Sequence, residues 1–347
     1  MKSVDELGEE TDIERVFVAN SGRTDLTGLQ VGDYIVDGLL KDGVYSQIFH
    51  GLNVLNGESV AIKRPAPQLT LAAQQSYSSL ETGVFLTGAF LTGAYAQDFG
   101  GLRSVEPCPD SVFLAQLESL SSYSHPNIVQ LLDCSRRAGI RWMSMPFLAA
   151  PTLRSCLSRR AGFDAKNIAC RLATVVSTAN RSGWRHHDLK PENIILSADG
   201  LVLIDPGHFG PLQLMSGQTV DVAITTPAYN PGIEPNDLMA FGLIFFELVT
   251  GVLPTRFASS SHDSDAGKSL LLMIEEAEIT GNFNYSGLKC FQRPAKLFSG
   301  CSDQLERLML FLLGLELQDD KIEVRNEPVT WVEAIEMLHQ TTFTGLT

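Results

Sequence analysis

The chain has 347 residues, of which 44% are hydrophobic and 19% are charged, and its formal net charge is −14 at pH 7. This composition is typical of a globular protein with a large core, arranged as one large domain or as two lobes. The acidic balance argues against binding of nucleic acid or of an anionic membrane surface. Six cysteines without a C-x-x-C pair argue against a disulfide or zinc framework and favour a reducing, cytoplasmic location.

The first 27 residues, 1–27, are acidic and lack the apolar core of a signal peptide, so we expect a mobile segment ahead of the folded domain. No apolar run reaches the length that spans a membrane. The longest candidate is "LMAFGLIFFELVTGVL", which contains Glu247 and Gly251 and is typical of a buried helix.

The region 31–65 has the pattern of short β-strands. Three runs are rich in β-branched and aromatic residues: "DYIVDGLL", "YSQIFHGLNVL" and "ESVAIKRP". The turn-like "NGES" separates the last two, as in a hairpin. The last run carries Lys63 near its end, which taken alone is an ordinary strand lysine.

The segment 68–105 interrupts this pattern. It contains "LETGV", "FLTGA" and "FLTGA", a five-residue period that resembles a pentapeptide repeat. A β-solenoid needs several stacked coils to bury its core, and this run is too short for one. We interpret the segment as a surface insertion on the first lobe that is not needed for folding and that offers apolar residues to the lobe or to a protein partner.

The rest of the chain is mostly helical in pattern. Apolar residues recur on one face of a predicted helix that begins at Pro109, and the strand-like run "IRWMSMPFL" follows. Asp164 is placed to cap the next helix. Further helices are expected from Asp237 to Gly251, from Ser302 to Leu315 and from Thr330 to His339. The predicted class is therefore α+β, with a β-rich first lobe and a helical second lobe.

Polar side chains cluster in "GWRHHDLKPENIIL" and again in "LVLIDPGHFG". Asp188, Asn193 and Asp205 supply the oxygen ligands that Mg²⁺ prefers. A metal ion with a bound polyphosphate also requires cations that neutralise the phosphates, and Lys63 and Lys190 can supply them. Loops with this density of charged and amide groups usually carry function.

Seven motifs occur in the order found in the eukaryotic-type (Hanks-type) serine/threonine protein kinases: "GVYSQIFHG", "VAIK", "HPNIV", "HHDLKPENIIL", "IDPG", "TPAY" and "DLMAFG". The chain resembles that family over roughly residues 31–339. The resemblance implies a two-lobed kinase fold over 28–345, with a first lobe at 28–149, the insertion 68–105 within it, and a second lobe at 150–345. It also implies ATP and Mg²⁺ as cofactors and a protein Ser or Thr hydroxyl as the phosphate acceptor.

The resemblance implies roles for single residues. Asp188 accepts the proton of the substrate hydroxyl, Lys190 steadies the phosphate in transfer, and Asn193 and Asp205 bind Mg²⁺. The implied nucleotide site consists of residues from both lobes: Gly43, Ala61, Lys63, Met145, Phe147, Leu148, Leu196 and Asp205. Within that set, Lys63 holds the α- and β-phosphates.

Several positions depart from the family pattern. Gly43 is the one loop glycine that remains, because Lys41 and Ser46 occupy the other two positions. Gln116 occupies the position of the helix glutamate that usually pairs with the strand lysine. "DFG" becomes "DPG", and His187 replaces the arginine that usually precedes the catalytic aspartate. Since histidine is mostly uncharged at neutral pH, we expect activity that does not depend on activation-loop phosphorylation.

Three functions are compatible with these motifs. An active serine/threonine kinase is favoured, because each retained group has a separate role in transfer. A pseudokinase that binds nucleotide weakly or not at all, and acts as an interaction module, is the alternative motivated by the poor glycine loop and by Gln116. A kinase for small molecules is disfavoured by "DLKPEN".

Overall fold

The structure is a computed structural model, and it describes residues 26–67, 93–98, 101–136, 141–159, 164–226, 228–230, 234–254, 293–297, 300–318 and 321–343. The chain divides into two compact units. The first consists of Met1–Ala72, Cys108–Ser124 and Val129–Ala149, and the second of Ala73–Pro107, His125–Ile128 and Ala150–Thr347. The first is rich in strands and the second in helices, which agrees with the α+β class predicted from the sequence.

The strands and helices have the following bounds in the described residues. The strands are β1 (Gln30–Val31), β2 (Tyr34–Asp42), β3 (Ser46–Asn53), β4 (Ser59–Pro65), β5 (Gly93–Asp98), β6 (Gly101–Ser104), β7 (Asp133–Ser135), β8 (Trp142–Pro146), β9 (Ile194–Ser197), β10 (Gly200–Leu203), β11 (His208–Gln213), β12 (Thr219–Thr225), β13 (Leu315–Gln318) and β14 (Lys321–Val324). The helices are α1 (Pro109–Ser122), α2 (Leu153–Ser158), α3 (Ala165–Arg181), α4 (Asp237–Thr250), α5 (Pro294–Leu297), α6 (Asp303–Leu312) and α7 (Trp331–Gln340).

The first unit is built on a six-stranded antiparallel sheet in the order β1-β2-β3-β4-β8-β7. The hairpin predicted at "NGES" is confirmed, since β3 pairs with β4, and β2 pairs with β3 as well. Phe49 and Ile62 lie opposite each other, and both are 1% exposed in the core of the unit. Leu26 belongs to the same core. The folded part therefore begins before residue 28, the boundary expected from the sequence, because this apolar side chain completes the packing.

The helix α1 belongs to the first unit and lies against β4. Pro109 occupies its first turn, where the missing N–H has no hydrogen bond to lose. Val112, Phe113 and Leu117 are buried along one side. The helix predicted to begin at Pro109 is therefore confirmed.

Two helices of the second unit begin at side chains that satisfy the first backbone N–H groups. Asp164 accepts a hydrogen bond from the Asn167 N–H and caps α3, as predicted. At the start of α7, Thr330 and Glu333 form a capping box, each side chain accepting from the backbone of the other. These polar caps fix the first turns, and the apolar faces then determine how the helices pack.

Two glycines end helices in the second unit. α4 runs to Thr250 and stops at Gly251, whose φ of 75° is left-handed. α6 ends at Leu312, before the predicted end at Leu315. The reason is Gly314, whose φ of 70° reverses the chain so that Leu315 begins β13.

The apolar run "LMAFGLIFFELVTGVL" forms the buried helix α4, as predicted. Its interior side chains, from Ala240 to Val249, are buried without interruption. Across the described ranges, no helix is both long and apolar enough to cross a membrane.

A second sheet has the order β11-β12-β5-β6, and all of its strands belong to the second unit. β5 pairs with β12, with Gly93 opposite Thr225 and Tyr95 opposite Ala223. The last part of the segment 68–105 therefore pairs with the second unit, whereas the sequence pattern led us to assign all of it to the first lobe. Strands far apart in the sequence leave no local signal of their pairing. The apolar pentads lie outside the described residues, apart from Gly93 and Ala94.

Candidate active site

The loop between α3 and β9 brings together three of the side chains that the sequence singled out. Asp188 Oδ2 lies 2.7 Å from Lys190 Nζ, and Asn193 Nδ2 donates to the same oxygen at 3.2 Å. Asp188 and Asn193 are 2% exposed and Lys190 is 6% exposed. Burial raises the pKa of Asp188, and the Lys190 ammonium opposes that rise. A carboxylate held in this way can accept a proton from a neighbouring hydroxyl.

Asp237, at the start of α4, holds the same loop through its backbone. Its Oδ2 accepts hydrogen bonds from the His186 N–H and from Asn180 Nδ2, both at 2.9 Å, and its Oδ1 accepts from the His187 N–H at 3.0 Å. His187 has a φ of 63°, a left-handed conformation that is strained in any residue other than glycine. The buried carboxylate therefore stabilises a loop conformation that is unfavourable by itself.

The two histidines before Asp188 are both uncharged at neutral pH. His186 is completely buried, and its Nε2 contacts the Ile204 carbonyl at 3.0 Å, which requires a proton on that nitrogen. Burial lowers the pKa of both rings, that of His187 to about 4. His187 therefore offers no permanent cation that could bind a phosphate group in two places, as an arginine would.

The segment 205–234 is bound to the catalytic loop near its end. Lys190 Nζ donates to Thr226 Oγ1 at 2.8 Å, and Thr225 Oγ1 donates to the His187 carbonyl at 2.9 Å. Both threonines are buried. Thr225 is the last residue of β12 and pairs with Gly93 of β5, and Thr226 follows it, so strand pairing and these two hydrogen bonds fix the same stretch of backbone.

The triplet "DPG" keeps its glycine for a steric reason. A Cβ at Gly207 would lie 2.2 Å from the Ile224 carbonyl oxygen, so no other residue fits without movement of β12. The Gly207 N–H also donates to the His186 carbonyl at 2.8 Å. Pro206 is buried. The triplet thus connects the catalytic loop to the β11–β12 hairpin.

Asn193 and Asp205, the predicted magnesium ligands, are neighbours. Asn193 Nδ2 lies 2.9 Å from the Asp188 carbonyl and 3.3 Å from the Asp205 carbonyl. These contacts use the amide nitrogen, so Oδ1 is the atom of Asn193 that can meet a cation. An amide oxygen and a carboxylate fit Mg²⁺, which usually binds through one or two carboxylates, waters and substrate phosphates. Within the described residues there is no group of three His, Cys, Asp or Glu side chains that could hold a metal ion.

The predicted nucleotide residues of the first unit lie on neighbouring strands. Ala61 on β4 lies opposite Met145 on β8, and Lys63, 4% exposed, lies two residues further along β4. Phe147 and Leu148 follow β8 and are partly buried. Two further members of the predicted set are Gly43, in the turn between β2 and β3, and Leu196, on β9 of the second unit. The predicted nucleotide residues therefore form two groups, one in each unit.

Comparison with known proteins identifies the family. Residues 103–314, more than half of the chain, match the model of the protein kinase domain. This chain belongs to the protein kinase family. The resemblance to eukaryotic-type serine/threonine kinases is confirmed, and members of this family use ATP with a divalent metal ion. The matched region contains Asp188 and Asp205, whereas Gly43 and Lys63 precede it.

Similar proteins include other kinases. The serine/threonine-protein kinase PrkC of Bacillus subtilis is 26% identical over 180 residues, which are 48% of this chain and 26% of that protein. The mitosis inducer protein kinase cdr2 of Schizosaccharomyces pombe is 28% identical over 184 residues, 49% of this chain and 23% of that protein. This chain therefore spans about a quarter of the length of each of these curated relatives.

The solved structure of PpkA-294 in its apo form matches 90% of this chain and 98% of its own, with a TM-score of 0.55 and 16% sequence identity. That likeness confirms the kinase fold predicted from the motifs. It extends over more of the chain than the family match, which begins at residue 103.

The kinase also contains an ionic cluster that the sequence analysis missed. Arg154 on α2 donates to Glu247 on α4 at 2.6 Å and to Glu192 at 2.7 Å. Tyr229 donates to Glu247 at 2.5 Å and also contacts Arg154. Glu247 was the residue from which this cluster could have been predicted, because a single acid in an apolar helix is buried only when it has a partner. The cluster fixes Tyr229, three residues after Thr226.

Proposed function

We propose that this protein is a serine/threonine protein kinase that transfers the γ-phosphate of Mg·ATP to a hydroxyl group of a protein substrate. The observation that carries the proposal is the buried cluster of Asp188, Lys190 and Asn193, with Thr226 bound to Lys190. Phosphoryl transfer depends on positioning and charge neutralisation more than on covalent chemistry, and this cluster supplies both. The names of several relatives, which are serine/threonine kinases, support a serine or threonine acceptor.

The residues of the catalytic loop have separate tasks in this proposal. Asp188 accepts the proton of the substrate hydroxyl and orients its oxygen, a task suited to a carboxylate whose pKa is raised by burial. Lys190, held between Asp188 and Thr226, places a positive charge beside the phosphate in transfer. Asn193 orients Asp188 through its amide nitrogen.

We assign nucleotide and metal binding to the residues that the sequence predicts for them. Asn193 and Asp205 would hold Mg²⁺ through oxygen, and the ion would supply positive charge that neutralises the phosphates. Lys63 binds the α- and β-phosphates, and Gly43 lets the backbone approach them. The residues assigned to the adenine and its surroundings are Ala61, Met145, Phe147, Leu148 and Leu196.

A transfer assay tests the proposal. Wild-type protein supplied with γ-labelled ATP and Mg²⁺ should label itself or a general protein acceptor, and acid hydrolysis should release phosphoserine or phosphothreonine. Chelation of Mg²⁺, or the substitution Asp205→Asn, should abolish labelling. Release of phosphotyrosine alone would contradict the proposed acceptor. Nucleotide binding without any transfer would instead support the pseudokinase alternative.

Gln116 gives a prediction about the missing helix glutamate. It is buried, 7% exposed, in α1, which lies against the strand of Lys63, whereas Glu118 is exposed. We predict that Gln116 faces Lys63 and offers it a neutral hydrogen bond. Gln116→Glu should then raise kcat or leave it unchanged, because a charge-assisted hydrogen bond is roughly twice as strong as a neutral one. Glu118→Gln is the matched control and should not alter kcat. A sharp loss of activity in Gln116→Glu would show that position 116 does not face Lys63.

Activity should not depend on phosphorylation of the segment 205–234. His187 is uncharged, so the position directly before Asp188 holds no permanent cation that a phosphate would have to neutralise. Thr225 and Thr226 are buried and hydrogen-bonded, and both edges of β12 are paired. We therefore expect protein treated with phosphatase to have the same kcat as untreated protein.

Thr219 is the informative position for this test, because it is the exposed threonine of β12. Thr219→Ala should change kcat little. Thr225→Ala is not a neutral variant, since it removes the hydrogen bond to the His187 carbonyl. A large loss after phosphatase treatment that is restored by rephosphorylation would refute independence from phosphorylation.

A further inference from the structure

Three polar side chains form a continuous row across the end of the first sheet. Asp42 on β2 lies directly opposite Gln47 on β3, and Gln47 lies directly opposite Arg64 on β4. Arg64 Nε and Nη2 both donate to Gln47 Oε1, at 3.0 and 2.7 Å. Gln47 Nε2 then donates to Asp42 Oδ1 at 2.9 Å. We call these three residues the polar row.

Burial makes the polar row a single unit. Gln47 is completely buried and Arg64 is 3% exposed, while Asp42 lies at the exposed end. Burial lowers the pKa of Arg64 to about 10, and Asp42 opposes this, so the guanidinium stays charged at neutral pH. The guanidinium also lies 5.6 Å from the centre of the Phe49 ring. Substitution of any one member would remove a hydrogen-bond partner from a buried polar atom of its neighbour. An unsatisfied buried polar atom lowers the free energy of unfolding.

The polar row lies at the base of the turn that contains Gly43. The Gly43 N–H donates to the Ser46 carbonyl at 3.0 Å, and a Cβ on Gly43 would lie 2.9 Å from that oxygen, so the turn is tight. The Tyr45 carbonyl accepts from the Ala66 N–H at 2.9 Å, which ties the turn to the end of β4. Both strands that enter the turn are therefore fixed at their last paired residues.

Arg64 directly follows Lys63, and successive side chains of a strand point to opposite faces of a sheet. The polar row thus fixes β4 from the face opposite to Lys63. It also fixes Asp42, the residue before Gly43. We assign phosphate contacts in this unit to Gly43 and Lys63. Each of these residues is adjacent in sequence to a member of the polar row.

We propose that Asp42, Gln47 and Arg64 are positioning residues that hold the turn 43–46 ready for the phosphates of the nucleotide. This inference rests on the proposed function, in which that turn covers the phosphates of ATP. A loop with fewer glycines approaches phosphates less easily, but a loop that is already ordered loses less conformational entropy when it binds. Three glycines ease that approach in the family; in this protein, which keeps one of them, the polar row lowers the entropy cost by ordering the turn in advance.

The variant Arg64→Met, tested with Mg·ATP and with adenosine, distinguishes a role in positioning the turn from a general structural role. Methionine keeps an unbranched apolar stem and removes the guanidinium. We expect the Kd for Mg·ATP, measured by isothermal titration calorimetry, to rise about tenfold, since preorganisation of a loop is lost. The Kd for adenosine, which has no phosphates, should stay the same. Equal weakening for both ligands, or no change for Mg·ATP, would overturn the inference.

Two further variants keep the test decisive if Arg64→Met does not fold. Asp42→Ala removes the exposed end of the polar row and should weaken Mg·ATP binding in the same direction by a smaller factor, again without an effect on adenosine. Glu58→Ala is the matched control, because Glu58 is an exposed acid that accepts from Asn56 Nδ2 at 2.9 Å in the turn between β3 and β4, away from the turn 43–46. It should leave both Kd values unchanged.

The wild type separates failure of this inference from failure of the proposed function. If the wild-type protein binds adenosine and Mg·ATP, but the polar-row variants bind Mg·ATP as tightly as the wild type, the inference alone is wrong. If the wild type binds no Mg·ATP, the proposed function is refuted and the inference with it.

Discussion

Asp188→Asn is expected to lower kcat for phosphate transfer by about 10²- to 10⁴-fold, the usual contribution of a general base, and to leave the Kd for Mg·ATP almost unchanged. Asparagine keeps the size of the side chain and an oxygen that can face Lys190, but it removes the charge that accepts the proton. The loop should persist, because it is held by Asp237 and by the Thr226–Lys190 contact. Single-turnover transfer and nucleotide titration on the same preparation measure both quantities.

Asp199→Asn is the matched control, since it neutralises an exposed carboxylate in the turn between β9 and β10 of the same unit. It should transfer phosphate at the wild-type rate. Transfer by Asp188→Asn at that same rate would mean that Asp188 is not the catalytic base. Loss of nucleotide binding together with transfer would point to a collapsed loop and not to a missing base.

Asp237→Ala should cost the most stability of any single substitution discussed, about 3–5 kcal/mol of the free energy of unfolding. It removes the Asp237 acceptor from three donors: the buried His186 N–H, the partly buried His187 N–H and Asn180 Nδ2, which keeps the Trp184 carbonyl as a second acceptor. It also removes the acceptor that holds His187 at its left-handed φ of 63°. Because total stabilities lie near 5–15 kcal/mol, the variant should unfold at much lower denaturant concentration.

Tryptophan fluorescence is a suitable probe for that experiment. Trp331 Nε1 donates to Asn180 Oδ1 at 3.0 Å, and Asn180 in turn contacts Asp237. Asp164→Ala is the matched control, because Asp164 also accepts a backbone N–H at a helix start but is exposed, so about 1 kcal/mol should be lost. Similar losses in the two variants would refute the role assigned to Asp237.

The catalytic loop could be read from the sequence because its chemistry is confined to one short stretch. Asp188, Lys190 and Asn193 are neighbours in one loop, although Asp237 and Thr226 hold that loop from distant parts of the chain. α3 and α4 were predictable for a similar reason, since an apolar face and a polar cap are local features. Such elements require only the neighbours that the sequence itself provides.

Contacts between distant segments could not be predicted in this way. Arg154 meets Glu247 and Tyr229 only after α2 and α4 have packed. Gln47 and Arg64 look like residues of a solvated strand face, and their burial depends on what covers that face. β5 finds its partner β12 across much of the chain, and neither strand shows this in its composition.

The pairing of β5 with β12 also decides when the second sheet can form during synthesis. Roughly 130 residues separate Gly93 from Thr225, so β5 and β6 leave the ribosome well before the partner strand exists. In that interval β5 presents an unpaired edge, which can join a wrong strand of the same or another chain. Asp237, which holds the catalytic loop, is made later still. The kinase therefore completes its catalytic loop only after most of the chain has been translated, and an incomplete chain is exposed to misassembly before it can be active.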